Sequence, residues 1–422
     1  MTDAPTSGFY DALETRSADE REAALMAALP RQVALAQAQA AAFAESLAGV
    51  DAAAVGSLGA LAALPVVRKH ELLERQKARR AEDPFGGFSA IGWGRRGGAK
   101  RVFQSPGPIY EPEGQRADYW RMARALFAAG FRAGDLVHNS FGYHLTPAGS
   151  MMETAAHAIG CTVFPGGVGN TELQLQAMAE LRPDAYVGTP SFLRIALEKA
   201  VENGTDLAFL KKASVGGEAF PPSLRDAWRA RGLEAYQSYG TADLGLVAYE
   251  TAAREGLVID EGVIVEIVRP GTGEPLPDGE VGEVVVTTLN PDYPLIRFGT
   301  GDLSAVLPGR CPTGRSNTRI RGWLGRADQT TKVRGMFVHP AQVAEVLRRH
   351  PELGRARLVV EGEQADDRMT LHAECAGAAD GLAERVAQSL RDVTKLRAGV
   401  RLLAPGSLPN DGKVIEDART YA

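Results

Sequence analysis

Residues 118–199 alternate between helix-like and strand-like segments, and this alternation restricts the possible folds more than any other feature of the sequence. The strand-like segments are short and apolar, at 136–138, 162–164 and 185–187. Helix-forming segments precede and separate them, at 120–129, from Ala148 and from Thr171. This order is typical of α/β units around a parallel sheet.

The segments on either side of this region differ in style. Residues 18–48 and 57–79 are rich in helix formers, with Pro30 as the main breaker, and predict a helical cap over about residues 1–85. A glycine-rich stretch then leads into a predicted strand at 101–104 and the turn Ser105-Pro106-Gly107. Further on, the β-branched segments 257–268 and 283–288 predict a β-rich subdomain.

The last part of the chain predicts a separate small domain. Helices are expected at 339–350 and 381–390, and strands at 357–361 and 369–374. This order favours a compact α+β domain of roughly 90 residues. We therefore predict an α/β protein with a large domain at 1–327 and a small one at 328–422.

Composition excludes several classes of function. A net charge of -5 gives no positive field for nucleic acid. The sequence has no run of about 18 apolar residues, so no membrane span is predicted. The N-terminus lacks the features of a secretory signal. The three scattered cysteines suit a reducing compartment. We expect a cytoplasmic protein without nucleic-acid or membrane partners, and we allow for a homodimer.

Short motifs occur along nearly the whole chain in a fixed order. They are Ser57-Leu58 through Leu64-Pro65 with Lys69 and Leu72, Gly142-Tyr143, Gly188-Thr189-Pro190-Ser191, Gly216-Gly217-Glu218, Tyr239-Gly240-Thr241-Ala242-Asp243, Pro294-Leu295-Ile296-Arg297 with Thr300-Gly301-Asp302, Gly325-Arg326-Ala327-Asp328, Arg334-Gly335 with His339-Pro340, and Gly412-Lys413. Together they resemble the phenylacetate-CoA ligase family of AMP-forming acyl-CoA synthetases. The resemblance implies an adenylate-forming ligase fold with a mobile C-terminal domain, and ATP, Mg²⁺ and coenzyme A as cofactors.

The resemblance also implies roles for residues around the nucleotide. Asp302 looks like the ribose ligand, and a carboxylate can accept both hydroxyl hydrogens of a cis-diol. Gly217 and Glu218 resemble the loop that borders the adenine. Tyr239 would stack on the base, and Gly240 would allow close backbone approach.

Two positions correspond to a hydroxyl residue and a metal-binding acid in the family. The family motif ends in a hydroxyl residue followed by Glu, whereas this chain has Ala242 and Asp243. The hydroxyl is therefore either missing or supplied by Thr241, which we nominate as catalytic. The resemblance implies that Asp243 holds Mg²⁺ near the phosphates, with one methylene fewer to reach it.

The C-terminal motifs imply a second group of roles. Lys413 matches the lysine that bridges the substrate carboxylate and the α-phosphate while charge builds up during adenylation. Asp328 looks like the hinge of the small domain. Arg326 would reach the ribose or a phosphate, and Arg334 and Gly335 would flank the pantetheine arm of coenzyme A.

The segment that should grip the ATP phosphates departs from the family pattern. The family has a loop rich in Ser, Thr and Gly that ends in lysine, whereas residues 105–114 here contain prolines, which remove amide donors. Glu111 and Glu113 are expected to place negative charge where the triphosphate would lie. The Cys-x-Cys-Gly zinc element of some members is also reduced to one sulfur at Cys311, so no structural zinc is predicted.

The acyl pocket can be proposed from the same resemblance. We nominate four residues that flank the carboxylate in similar proteins and whose aromatic and apolar character suits a small aromatic acid, namely Phe141, Tyr143, His144 and Pro190. Ordinary core packing is the alternative for each of them. The predicted function is an acid–CoA ligase. The alternatives are a degenerate relative that binds nucleotide or acyl-CoA without adenylation, and an enzyme that transfers the acyl group to a carrier protein.

Overall fold

The computed structural model describes residues 8–268, 273–327, 331–334, 336–338, 340–362, 367–377, 380–409 and 414–419. The chain divides into two compact units, Met1–Gly325 and Arg326–Ala422, which are called the large unit and the small unit below. Within the described residues, no helix is both long and apolar enough to cross a membrane.

The large unit begins with helices, as the composition predicted. The Ser17 hydroxyl caps the first helix by accepting a hydrogen bond from the Glu20 N–H, and the Glu20 carboxylate accepts one from the Ser17 N–H. The helix then continues through Pro30, so the predicted break there is wrong. Its buried apolar face, which includes Leu29 and Val33, stabilises the helix against the loss of one N–H donor. The elements are α1 (Ala18–Gln39), α2 (Ala41–Ser46), α3 (Leu58–Ala62), β1 (Val67–Arg68) and α4 (Lys69–Arg79).

The rest of the large unit contains a hairpin and two sheets. The hairpin is β2 (Arg101–Ser105) and β3 (Ile109–Glu113). The elements that follow are α5 (Ala123–Ala128), β4 (Leu136–Asn139), α6 (Ala148–Ile159), β5 (Thr162–Pro165), α7 (Thr171–Leu181), β6 (Ala185–Gly188), α8 (Pro190–Glu202), β7 (Lys212–Val215), α9 (Pro222–Ala230), β8 (Glu234–Thr241), β9 (Gly245–Glu250), β10 (Leu257–Ile259), β11 (Val263–Val268), β12 (Gly282–Thr288), β13 (Phe298–Ser304), β14 (Val306–Leu307) and β15 (Arg319–Ile320).

The larger sheet has nine strands in the order β14-β15-β10-β9-β8-β7-β6-β4-β5. Its strands from β5 to β8 are parallel, which confirms the predicted α/β units. Beyond β8 the neighbours are antiparallel. The strand β8 therefore lies where the sheet changes from parallel to antiparallel pairing.

The second sheet has four strands in the order β1-β13-β12-β11 and corresponds to the predicted β-rich subdomain. Its strands β11 and β12 pair over six residue pairs. The short strand β1, which we did not predict, joins the edge of β13 in parallel. Buried residues of α1, α2 and α3 form one hydrophobic core with this sheet, so the helical segment packs directly on it.

The small unit has its own core and the predicted α+β order. Its elements are β16 (Thr331–Val333), β17 (Met336–Val338), α10 (Pro340–Arg349), β18 (Leu353–Glu361), β19 (Arg368–Cys375), α11 (Leu382–Thr394), β20 (Gly399–Leu403) and β21 (Ile415–Asp417). Four of these strands form a sheet in the order β20-β19-β18-β21. The strand β21 pairs in parallel with β18 and so attaches the last described segment to the core of the unit.

Candidate active site

The motif residues collect at the carboxyl ends of the parallel strands in the larger sheet. Gly188 ends β6, the Gly216-Gly217-Glu218 loop follows β7, and Tyr239 to Thr241 end β8. In open α/β sheets, ligands bind in the crevice outside these strand ends. The fold therefore brings motifs that are far apart in sequence to one edge of the sheet.

Asp302 and Tyr239 meet across the two sheets. Tyr239 lies near the end of β8, whereas Asp302 lies on β13 of the second sheet. The Tyr239 hydroxyl donates to Asp302 Oδ2 at 2.9 Å. The other oxygen, Oδ1, accepts the indole N–H of Trp323 at 3.0 Å. The structure thus brings two of the predicted nucleotide residues together and adds Trp323, which the sequence did not suggest.

The Glu218 loop contacts the segment that follows β6. The backbone N–H of Ser191 donates to Glu218 Oε2 at 3.3 Å, and Glu218 is exposed. Gly217 has a φ of +77°, a conformation that favours glycine. A Cβ atom on Gly216 would lie 3.3 Å from the backbone oxygen of Ser238, the residue before Tyr239. The loop therefore runs beside the end of β8 with the Glu218 carboxylate at the surface.

Gly240 is required by the packing of the neighbouring strand, and its predicted role beside the nucleotide remains a prediction. A Cβ atom there would lie 2.6 Å from the backbone oxygen of Gly245, in the next strand. The register of β8 and β9 shifts between Tyr239 and Gly240. The close approach that requires glycine is thus the approach of β9. The Thr241 hydroxyl accepts the N–H of Leu244 at 3.1 Å and so stabilises the turn between these strands.

Asp243 lies in the same turn and forms an ion pair with Lys69. The distance from Lys69 Nζ to Asp243 Oδ2 is 2.8 Å, and the Asp243 side chain is fully buried. Its Oδ1 atom is also buried and accepts no hydrogen bond from the residues that the structure describes. Lys69 begins α4, directly after β1, and β1 pairs with the Asp302 strand. Lys69 therefore pairs with one oxygen of the residue predicted to bind Mg²⁺, and the Mg²⁺ role remains a prediction.

The hairpin β2–β3 occupies the place of the expected phosphate loop, but its acidic residues do not face solvent. Both Glu111 and Glu113 are buried. Glu111 accepts the Ser105 N–H at 3.2 Å and the Ser105 hydroxyl. Glu113 accepts from Ser150 Oγ at 2.7 Å and Arg101 Nη1 at 3.0 Å. The expectation that these carboxylates repel a triphosphate is therefore wrong, because both are turned inward and hydrogen-bonded.

The buried carboxyl groups of Glu111 and Asp243 interact. Burial is the main cause that raises the pKa of Glu111 well above its usual value, and the nearby Asp243 carboxylate raises it further. The hydrogen bonds from Ser105 and the charge of Lys69 act in the opposite direction. Among the described residues, Lys69 forms its ion pair with Asp243 and only acts on Glu111 from a distance, so we infer that Glu111 is the member of the pair that carries the proton.

This inference gives a prediction for the pH dependence of stability. A carboxyl group whose pKa is raised in the folded state binds more protons there than in the unfolded chain, so its contribution to stability is lost as pH rises through the folded pKa. Glu111→Gln should therefore make the free energy of unfolding less dependent on pH. At pH 8 the free energy of unfolding of the variant should equal or exceed that of the wild type. Each unit of pKa shift corresponds to about 1.4 kcal/mol. Urea unfolding from pH 5 to pH 8 measures the effect, and an equal loss of stability at every pH would contradict it.

The four residues nominated for the acyl pocket lie in different environments. Phe141 is buried in a hydrophobic core, and Pro190 is the buried first residue of α8. His144 is exposed. The hydroxyl of the half-buried Tyr143 accepts from Asn139 Nδ2 at 2.8 Å. Burial, together with Glu153, raises the pKa of Tyr143, which therefore stays a neutral phenol.

A polar cluster that the sequence analysis missed lies beside these residues. The hydroxyls of Ser140 and Tyr186 are 2.5 Å apart, and both side chains are buried. A Cβ atom on Gly188 would lie 2.1 Å from both hydroxyl oxygens, so glycine is required there. Ser140 directly follows β4 and Gly188 ends β6, whereas Tyr186 lies within β6. The strand-end position of Ser140 was the available signal, because such residues face the ligand crevice in α/β sheets.

The predicted residues of the small unit are only partly described. Arg334 has a φ of +47°, and its Nη2 and Nε atoms donate to the backbone oxygen of Asp367 at 2.8 and 3.1 Å. Arg326 is partly exposed. Asp328, Gly335 and Lys413 lie outside the described residues.

Comparison with known proteins agrees with this geometry. The family of AMP-binding enzymes matches residues 142–290, and the AMP-binding enzyme C-terminal domain matches residues 335–418. The phenylacetate-coenzyme A ligase of Aromatoleum evansii is 34% identical over 77% of this chain and 74% of its own length. That of Thermus thermophilus is 31% identical over 86% of this chain and 87% of its own. A solved 2-hydroxyisobutyryl-CoA ligase in complex with 2-HIB-AMP and CoA has a TM-score of 0.79 and 26% identity, and covers 98% of this chain and 93% of its own.

The fold and the strand-end site define an adenylate-forming, AMP-binding enzyme. Within that class, the chain belongs to the phenylacetate-CoA ligase family. This confirms the predicted acid–thiol ligase, which activates a carboxylic acid as an acyl adenylate and transfers the acyl group to coenzyme A.

Proposed function

We propose that this chain activates a small aromatic carboxylic acid and that Asp302, Tyr239 and Glu218 hold the adenylate. The observation that carries the proposal is the Tyr239–Asp302 hydrogen bond of 2.9 Å across two sheets. It aligns an aromatic ring and a carboxylate at the edge where the Glu218 loop also lies. An aromatic face and an acceptor for two hydroxyls are the groups that an adenosine requires.

The roles follow from the chemistry of each side chain. Asp302 accepts hydrogen bonds from the ribose hydroxyls, and Tyr239 contacts the base. Gly217 has no side chain, so its loop can lie close to the adenine. Lys413 bridges the substrate carboxylate and the α-phosphate as the acid oxygen attacks phosphorus and pyrophosphate leaves. In the second half-reaction the thiol of coenzyme A attacks the acyl carbon, and AMP leaves.

The remaining predicted residues serve the change between these half-reactions. Asp328 is the hinge at which the small unit reorients. Arg326 approaches the nucleotide, and Arg334 with Gly335 passes beside the pantetheine arm. A turn held by Asp367 suits this role, because Arg334 keeps its left-handed backbone through three hydrogen bonds to one residue.

Metal binding is proposed in a restricted form. Among the described residues, no group of three or more His, Cys, Asp or Glu side chains could hold a metal ion. Asp243 offers one buried oxygen that accepts no hydrogen bond from the described residues, and its other oxygen is paired with Lys69. Mg²⁺ commonly binds through one or two carboxylates together with substrate phosphates. Asp243 fits as a single ligand at most, and the ion would neutralise phosphate charge.

The proposed aromatic acid is supported by the surroundings of the β4 and β6 ends. Tyr143 and Pro190 supply an aromatic and an apolar surface, and the phenol of Tyr143 is neutral. Several relatives carry the name phenylacetate-coenzyme A ligase. A cytoplasmic location and a homodimer stay predictions.

A pyrophosphate-release assay with a panel of aromatic and aliphatic acids tests the proposal. We expect turnover with an aromatic acid when ATP and coenzyme A are supplied. Turnover only with a phosphopantetheinyl carrier protein would mean that the acyl acceptor is the carrier protein and not coenzyme A. If no acid gives turnover and ATP does not protect the protein against heating, the ligase proposal fails.

The Asp302→Asn variant tests the nucleotide site directly. It should weaken AMP binding about 100-fold, because each hydrogen bond to a charged group contributes roughly 1.5–3 kcal/mol. Isothermal titration calorimetry measures the change. The matched control is Asp206→Asn, at an exposed position whose carboxylate accepts from the nearby Ala208 N–H at 2.8 Å. Equal affinities in the two variants would argue against Asp302 as the ribose ligand.

A further inference from the structure

Trp323 is an exposed aromatic residue held against the candidate site by the main chain. Its side chain and backbone together are 43% exposed. The flanking chain is fixed to β13, since Leu324 N donates to Leu303 O at 2.9 Å and Ser304 Oγ donates to Gly322 O at 2.7 Å. The strand that carries Asp302 therefore also sets the position of the indole.

The Asp302 carboxylate receives a donor on each oxygen. Tyr239 donates to Oδ2 at 2.9 Å and Trp323 donates to Oδ1 at 3.0 Å. Two donors from different parts of the fold restrict rotation of the carboxylate about the Cβ–Cγ bond of Asp302. A carboxylate has about four acceptor positions, which is more than these two donors use. The indole N–H is a donor only, so it does not compete with Asp302 for ligand hydroxyls.

We propose that Trp323 is a positioning residue that orients Asp302 for the two ribose hydroxyls and thereby sets the preference for ribose over deoxyribose. The inference rests on the proposed function, in which Asp302 binds the ribose. A diol is recognised well only when both carboxylate oxygens face it, because each hydrogen bond weakens steeply when its angle is poor. Without the indole, Asp302 loses the donor on Oδ1 and rotates more freely.

The Trp323→Phe variant tests this role, and Trp93→Phe is the matched control. Trp93 is 57% exposed, and its ring packs against Phe85. Calorimetric titrations with AMP, 2′-deoxy-AMP and 3′-deoxy-AMP give the ribose preference of each protein. We expect Trp323→Phe to bind AMP about tenfold more weakly, the effect of roughly one hydrogen bond to a charged group. Because binding of the deoxy nucleotides should change little, the ribose preference should fall by the same factor.

The possible results separate the two proposals. If the wild type has no ribose preference, or if Asp302→Asn binds AMP as the wild type does, both proposals fail. If Asp302→Asn loses the preference while Trp323→Phe keeps it in full, only the role of Trp323 is overturned. A merely structural role would weaken AMP and both deoxy nucleotides equally in Trp323→Phe, and this result also overturns the inference.

Tryptophan fluorescence provides a second readout. The indole of Trp323 donates its N–H to the group that binds the ribose, so AMP should change its emission. The change should occur in the wild type and in Trp93→Phe and be absent in Trp323→Phe. Retention of the full change in Trp323→Phe would contradict the proposed contact.

Discussion

Replacing Arg297 by methionine is expected to lower the free energy of unfolding by about 3–5 kcal/mol, the usual cost of leaving a buried charge without its partner. Arg297 is 2% exposed. Its guanidinium donates to both oxygens of Glu266 at 3.0 Å. It also donates to the backbone oxygens of Ala62, Leu64 and Gly273 at 2.5–2.7 Å. One side chain thus joins the helical segment to the second sheet.

The control for this variant is Arg229→Met. Arg229 pairs with Glu234 at 3.2 Å, but its side chain is 65% exposed. An exposed pair contributes only about 0–1 kcal/mol. Urea unfolding of both variants compares the same chemical change in buried and exposed settings. If both variants lose equally little stability, the buried network is not what stabilises this region.

A double-mutant cycle with Glu266→Met separates the pair from the backbone contacts. Burial raises the pKa of Glu266 although the Arg297 charge lowers it, so Glu266 depends on its partner to stay ionised. The double variant should be more stable than the sum of the single losses predicts. It should still be less stable than the wild type, because three carbonyl oxygens lose their donor. We therefore expect that Arg297, the arginine of the motif Pro294-Leu295-Ile296-Arg297, stabilises the fold and does not bind the nucleotide.

Local pattern was sufficient to predict three of the parallel strands of the larger sheet, but not β7 and β8. The predicted strands, Leu136–Asn139, Thr162–Pro165 and Ala185–Gly188, are short apolar runs between helices. The same reasoning failed at Pro30, where burial of the surrounding helix face outweighs one missing donor. It also missed β1, because a strand of two residues has no periodicity. Such a strand forms only when a partner such as β13 is already present.

The site could be predicted only where chemistry and motif coincide. Asp302 and Tyr239 were nominated from motifs, and they lie in contact. The contact of Trp323 with Asp302 was not predictable, since it depends on how the segment after β15 returns to β13. The predicted orientation of Glu111 was wrong, because the register of a hairpin decides which strand residues face inward.

The buried acids of the hairpin change how the altered phosphate segment is understood. Arg101 and Ser150 neutralise and satisfy Glu113, and Ser105 satisfies Glu111. The prolines still remove amide donors from this segment. The hairpin is therefore unlike a flexible phosphate loop, but it turns neither Glu111 nor Glu113 toward solvent. Its replacement of the family loop does not by itself oppose nucleotide binding.

Lys413→Ala is expected to slow adenylate formation about 1,000-fold, within the range seen when one preorganised group that stabilises transition-state charge is removed. Transfer from a supplied acyl adenylate to coenzyme A should stay within a few-fold of the wild type, because only the first half-reaction needs the ammonium. Acyl-adenylate formation in a quench assay and thioester formation from synthetic adenylate measure the two steps. Lys199→Ala, at a surface lysine that pairs with Glu172 at 3.0 Å, is the control.

The acidic residues after Lys413 do not weaken this prediction. Glu416 pairs with Arg357 at 2.9 Å, and Asp417 accepts from Arg419 Nε at 2.7 Å. Their charges are thus compensated within the small unit and do not draw the ammonium away from phosphate. Because β21 attaches to β18 from Ile415 onward, the chain is anchored two residues after Lys413. Equal loss of both half-reactions would mean that Lys413 supports the fold of the small unit and not the charge that forms during adenylation.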